Sequence, residues 1–155
     1  MKKRIALILT TLVALILVLT GCSSNKNASD TKTKGTLTIG LEGTYAPYSY
    51  RENGKLKGFE VDYGKAVAKK LGLKAKFVPT KWDSLIAGLN SNTFDVVINN
   101  VAENASRKKQ YLFSTPYVYS KSVVITKDGS GINSVDDIKG QKIAAGTGTD
   151  NYNNA

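Results

Sequence analysis

Apolar positions divide the chain into three stretches with different rhythms. From Ile5 to Thr20 they run almost without a break. Residues 23–35, SSNKNASDTKTKG, show no period at all. From Thr36 onward, short apolar runs alternate with helical spacing. LTIGL, 37–41, has the character of a buried strand, and the turn-rich EGTYAPYSY follows it. YSYRENGKLKGFE, 48–60, predicts a hairpin around Asn53-Gly54, a pair that accepts the left-handed backbone of a tight β-turn. Asp62 to Leu71 predicts a helix with Tyr63, Ala66, Val67 and Leu71 on one face and Gly72 as its stop. AKFVP, 75–79, predicts a second strand. Trp82, Leu85, Ile86 and Leu89 repeat at i, i+3, i+4 and i+7, which predicts a second amphipathic helix. FDVVI, 94–98, reads as a strand inside a parallel sheet covered on both faces. Strands alternating with helices predict the α/β class.

A second unit is expected from Ser120. KSVVITK and QKIAAG read as strands, SVDDIKG as a short capped helix, and GTGTDNYNNA as the start of another helix. No internal repeat is evident. These pieces are poor material for an independent core, so the unit reads as unfinished, as in a C-terminally truncated product.

The N-terminal stretch reads differently. MKKR is a positive end, the apolar run follows, and LTGC closes it, which together describe a secretory signal over residues 1–21. The run is nearly long enough for a transmembrane helix, the competing reading. LTGC resembles the lipobox of bacterial lipoproteins, in which the signal is cut before the cysteine and the thiol carries diacylglycerol. Cys22 is then the lipidated residue, with fatty acyl chains (palmitate) as the anchor, and residues 22–35 form a flexible tether.

Cys22 is the only cysteine and there is no histidine. No disulfide framework is possible within the chain, and the commonest general base and metal ligand is missing. Neither a metal nor a cofactor is expected. The formal charge of +10 falls to +7 when Lys2, Lys3 and Arg4 leave with the signal. The lysines are scattered and no nucleic-acid module is visible, so no nucleic-acid partner is expected.

In open parallel sheets ligands bind outside the carboxyl ends of the strands. That rule selects four loops: Glu42 to Tyr48, Lys81 to Trp82, Asn99 to Ala102, and Gly146 to Asp150. They offer a carboxylate with tyrosines, an indole, two amides and a Gly-rich turn, all of them recognition groups with no catalytic constellation among them. Arg107 follows the third loop by one helical turn, where Asn104 or Ser106 could cap. Of 22 Lys and Arg residues only Arg4, Arg51 and Arg107 are arginines. A planar guanidinium grips a carboxylate by two parallel hydrogen bonds and a lysine cannot. Arg107 is therefore either the anchor for a ligand carboxylate or a solvated or internally paired arginine. The GTGTD turn, 146–150, is either an anion site or simply a glycine-bearing turn. Tyr45, Tyr48 and Tyr50 could wall a cleft or flank strands, Trp82 could serve the core, and Glu42 could meet a ligand cation or face water.

GLEGTYAPYSY, GKLKGFEVDYGKAVAKKLG, PTKWDSLIAGLNSNTFDVVINNV, SRKKQYLFSTPY and VDDIKGQKIAAGTGTDNY together resemble the amino-acid-binding lipoproteins of ABC importers (solute-binding protein family 3), and most of all their L-cystine-binding members. The resemblance runs from about Thr36 to Tyr152. It implies a two-lobed, type II periplasmic-binding-protein fold, with the first lobe over residues 36–119 and the start of the second over 120–155. It implies Arg107 as the clamp on a ligand α-carboxylate, with Gly148, Thr149 and Asp150 on the second-lobe turn that meets the same group. Asn99, Asn100 and Ala102 fall on the loop that meets the α-ammonium. Tyr45 and Trp82 fall on the cleft wall, and Glu42 on a position facing the ligand side chain. Ala102 stands where many relatives carry Thr or Ser, and ENAS before Arg107 replaces a Thr- and Pro-containing turn. The implied partners are an amino acid, an ABC permease with its ATPase, and the outer face of the cell membrane, with the protein a monomer that performs no chemistry. Two rivals are a relic surface lipoprotein and a dehydratase built on the same fold.

Overall fold

A computed structural model describes residues 31–155 of the chain. The expected signal, Cys22 and most of the expected tether lie outside the described residues. Strand β1, Thr36–Leu41, lies at the centre, and its residues from Leu37 to Leu41 are all buried. A strand covered on both faces must be apolar or small throughout, and LTIGL is. β1 lies between two parallel neighbours.

The hairpin forms as expected. β2 (Tyr50–Glu52) and β3 (Lys55–Lys57) pair antiparallel, with Asn53 (φ 50°) and Gly54 (φ 75°) both left-handed. Helix α1 follows over Phe59–Lys70 and begins three residues earlier than the pattern predicted. No side chain caps it. Its first amides are satisfied instead by the preceding loop, Phe59 N–H donating to Pro47 O (3.1 Å) and Glu60 N–H to Tyr48 O (2.9 Å). Gly58 makes this approach possible: φ is 123°, and a Cβ there would sit 2.2 Å from Tyr48 O. The earlier start changes the buried face to Glu60, Val61, Gly64 and Ala68, while Ala66 and Leu71 are exposed.

β4 (Lys74–Pro79) pairs with β1 from Thr36 opposite Lys74 to Leu41 opposite Pro79. Helix α2 (Trp82–Asn90) leads to β5 (Val96–Val97), which pairs with the other side of β1, giving the order β4-β1-β5. The expected FDVVI strand is shorter as a paired strand, although Asp95 N–H to Thr38 O and Ile98 N–H to Gly40 O (3.0 Å each) extend its bonding to β1. Phe94 leaves the ladder because its ring is a plug. It is 2% exposed, and a Cβ on either Gly40 or Gly88 would meet it at 2.6 Å. α1 covers the opposite face, where Leu37, Ile39, Ala68 and Ile98 form a cluster with Val67, Phe77 and Val96 around it.

At the amino end of β1, Asp95 accepts hydrogen bonds from Thr38 N–H (2.7 Å) and Lys32 N–H (2.6 Å). Burial pushes its pKa up, but the bonds from Thr38 and Lys32 outweigh it and hold the carboxyl below the usual range. Lys32, within the expected tether, is thus tied to the base of the sheet.

α3 (Ala105–Lys108) is a single turn. Beyond it KSVVITK and QKIAAG form no strand, contrary to expectation, and SVDDIKG gives only a 3₁₀ turn at Asp136–Ile138. Among the described residues these segments have no ladder partner, and a strand without one is merely extended chain. α4 (Asp150–Asn154) begins where GTGTD predicted a helix start.

Candidate functional site

The sheet is parallel, so the carboxyl ends of β1, β4 and β5 point the same way and bring three of the four selected loops together. Glu42 and Asn99 follow β1 and β5 and bind each other. Glu42 N–H donates to Asn99 Oδ1 (2.7 Å), and Asn99 Nδ2–H donates to Glu42 Oε2 (3.0 Å). Asn99 is buried and Glu42 half-buried. Tyr45 is exposed and stacks on Tyr48 with ring centroids 5.4 Å apart.

Trp82 opens α2 just past β4. It is half-buried, while Leu85 and Gly88 of the same helix carry the core packing. The guanidinium carbon of Arg107 lies 5.6 Å from the Trp82 ring centroid, within cation–π range.

Asn104 caps α3, its Oδ1 accepting from Arg107 N–H (2.8 Å), which fixes where the Arg107 side chain departs. Arg107 Nη1–H then donates to Ala102 O (2.8 Å) and Nη2–H to Gly148 O (3.0 Å). Asp150 Oδ1 stands 3.6 Å from Nη1 and accepts from Asn104 Nδ2–H at 2.6 Å. The fourth loop, which follows no strand, is therefore brought to the third by Arg107 and Asn104. Arg107 is internally paired in this state, and the groups it pairs with are those of the two loops selected from the sequence. Thr149 spends its hydroxyl locally: Oγ1–H donates to Gly146 O (2.6 Å), and Oγ1 accepts from Tyr152 N–H (3.2 Å).

Asn100 has left-handed backbone (φ 46°) and its N–H points inward, donating to Glu60 Oε1 and to the Tyr117 hydroxyl (3.0 Å). Tyr117 O–H donates to Glu60 Oε1 at 2.6 Å. Burial pushes the Glu60 carboxyl above its ordinary pKa, partly offset by the bonds from Tyr117 and Asn100, and burial beside Glu60 raises the Tyr117 phenol. Sequence reasoning missed both residues. A signal existed for Glu60, which shares a helical face with Gly64 and Ala68, but a helix begun at Asp62 hides it. Nothing in the sequence marked Tyr117.

A cavity of about 300 Å³ lies beside β5. Its walls, including Leu37, Val67, Leu89, Ile98 and Phe113, are apolar, although Asn99 and Arg107 also reach it. The polar groups of the candidate site instead collect at the strand ends. Among the described residues no group of acidic, cysteine or histidine side chains could hold a metal ion.

The family model of bacterial extracellular solute-binding proteins, family 3, matches residues 37–150. The chain belongs to this family. It is 49% identical to the L-cystine-binding protein TcyJ of Escherichia coli K12, over 78% of this chain and 46% of that protein. It is 44% identical to the L-cystine-binding protein TcyA of Bacillus subtilis, over 99% of this chain and 61% of that protein. Among solved structures, the L-cystine solute receptor of Neisseria gonorrhoeae in its unliganded open conformation matches 78% of this chain and 50% of its own, with a TM-score of 0.56 and 41% identity. The chain spans about half the length of the curated relatives it matches. Its architecture is that of a type II periplasmic-binding protein, with a parallel sheet of order β4-β1-β5. No helix among the described residues is long and apolar enough to cross a membrane.

Proposed function

We propose that this family member is an extracytoplasmic substrate-binding lipoprotein that captures a polar amino acid, L-cystine first, and delivers it to an ABC permease and its ATPase. Residues 36–119 serve as the first lobe and residues 120–155 belong to the second. Cys22 carries the lipid that holds the protein at the outer face of the cell membrane. Binding is reversible, by a monomer, and no bond is made or broken.

The observation that carries this reading is the setting of Arg107. Its guanidinium lies on the Trp82 ring and joins the Ala102 loop to the Gly148 turn. A ligand carboxylate entering there meets the fork a bidentate contact requires, with Asp150 close enough to yield its place or to turn toward an ammonium. Asn99 and Glu42, bonded to each other, supply further polar groups at the strand ends, and Tyr45 an exposed aromatic ring. The names of the two curated relatives support cystine as the first ligand to test.

The test is calorimetric titration of the full chain, held in mild detergent, with L-cystine and a panel of other amino acids. Saturable heat with L-cystine and weaker or no heat with the others is expected. A panel in which no amino acid gives saturable heat contradicts the reading.

A further inference from the structure

Glu60 is a carboxylate 1% exposed, lying outside every loop that the strand-end rule selects. Its partners come from distant parts of the chain: Asn100 N–H from the loop after β5, and the Tyr117 hydroxyl from the segment that leads toward residue 120. Tyr117 is itself clamped to α1. Its ring stacks on Tyr63 at 4.8 Å and tilts against Phe59 at 6.1 Å. Phe59, Glu60 and Tyr63, on the first turns of α1, thus make one platform that holds both the ligand loop and the departing segment.

The platform bears on a conformation that does not hold itself. Asn100 has φ 46°, a region open to asparagine but sparsely populated, and such residues persist only where the surroundings fix them. The inward bond from Asn100 N–H to Glu60 is such a constraint. It sets the direction in which the chain leaves Asn99, and therefore where Ala102 O meets Arg107. Without it the loop would sample other conformers in the free protein. Apparent affinity then falls by the fraction of molecules that keep the competent one.

We propose that Glu60 is the positioning residue of the 99–102 ligand loop, acting with Tyr117 to tie that loop to the segment leading out of the sheet domain. The proposal rests on the ligand-binding reading above but has a readout independent of it.

Amide hydrogen exchange at Asn100 and L-cystine titration are measured on the full chain and on Glu60→Ala, Glu60→Gln and Tyr117→Phe. Glu60→Ala should expose the Asn100 amide to rapid exchange while β1 amides stay protected, and should weaken binding about tenfold, the result of leaving roughly one molecule in ten competent. Glu60→Gln keeps an acceptor oxygen of the same reach, so it should restore both protection and affinity to near wild type. Tyr117→Phe keeps the aromatic stack, removes one acceptor of the Asn100 N–H, and should give intermediate exchange. Unchanged Asn100 exchange in Glu60→Ala overturns the proposal, as does failure of Glu60→Gln to rescue. If Glu60→Ala does not fold, the other two variants decide: faster Asn100 exchange in Tyr117→Phe than in Glu60→Gln supports the platform, and equal exchange overturns it. A wild-type chain that binds no amino acid defeats the functional reading alone, because the exchange comparison still judges the role of Glu60.

Discussion

The tripeptide Val-Val-Ile occurs twice, at 96–98 and at 123–125, and has two fates. In the first copy it bonds to β1, and Ile98 is 7% exposed. In the second it belongs to no strand among the described residues, with Val123 76% and Ile125 91% exposed. Intrinsic preference is the same in both. The difference is the neighbour: β1 presents a row of free backbone groups and a buried face to the first copy, whereas the second meets no such edge. β-propensity describes fitness for a pleated, half-buried surface, and the surface has to be there.

The largest effect should come from removing what builds that surface. Phe94→Ala deletes the plug between Gly40 and Gly88 and should destabilise the sheet domain by about 3–5 kcal/mol in urea unfolding. A loss below about 1 kcal/mol would show that the first copy does not owe its strand to this packing. Arg107, with Asn104, connects the 146–150 turn to the loop after β5. Arg107→Ala should weaken ligand binding by an amount equivalent to about 2–5 kcal/mol in calorimetry, since the guanidinium proposed to pair with the ligand carboxylate is lost.

A smaller effect separates the two ends of the sheet. Folding raises the pKa of Glu60 above 4.5, so the stability it contributes is fully present below that pH and is lost as pH rises through the raised value. Glu60→Gln should therefore gain melting temperature relative to wild type on going from acid to neutral pH. A difference that stays constant with pH would contradict the burial of the charge. Asp95, depressed below 3.8, works in the opposite sense: its stabilisation is present above that pH and is lost as pH falls through the lower folded value. The smallest effect belongs to the second copy, where Ile125→Ala should change stability by no more than about 0.5 kcal/mol. A larger loss would mean that Ile125 has a partner after all.

These contrasts also explain what was legible in the sequence. The hairpin, β1, β4 and α2 were readable because each is specified locally, by Asn53-Gly54, by an unbroken apolar run or by i, i+3, i+4 spacing. The start of α1 was not, because its first amides bond to Pro47 and Tyr48 through a glycine and no capping side chain announces it. The strand-end rule selected Glu42, Trp82 and Asn99, which do follow the carboxyl ends of strands, and the scarcity of arginine pointed to Arg107. The rule selected the 146–150 turn through a strand that does not form, and that turn reaches the third loop by its contacts with Arg107 and Asn104. Glu60 and Tyr117 escaped because their meaning lies in contacts 57 residues apart. The expected strands at 121–127 and 141–146 carried correct local character, but strand pairing is a property of two segments and the pattern of one cannot supply it.

Trp82 is the only tryptophan in the chain, and it lies against Arg107. Its fluorescence therefore reports on the candidate site with no added label. The most direct measurement is the Trp82 emission of the full chain during titration with L-cystine, alongside Arg107→Ala. A saturable change in the wild type that disappears in the variant is the predicted result. No change in the wild type, or the same titration curve in Arg107→Ala, would contradict a ligand site built around Arg107.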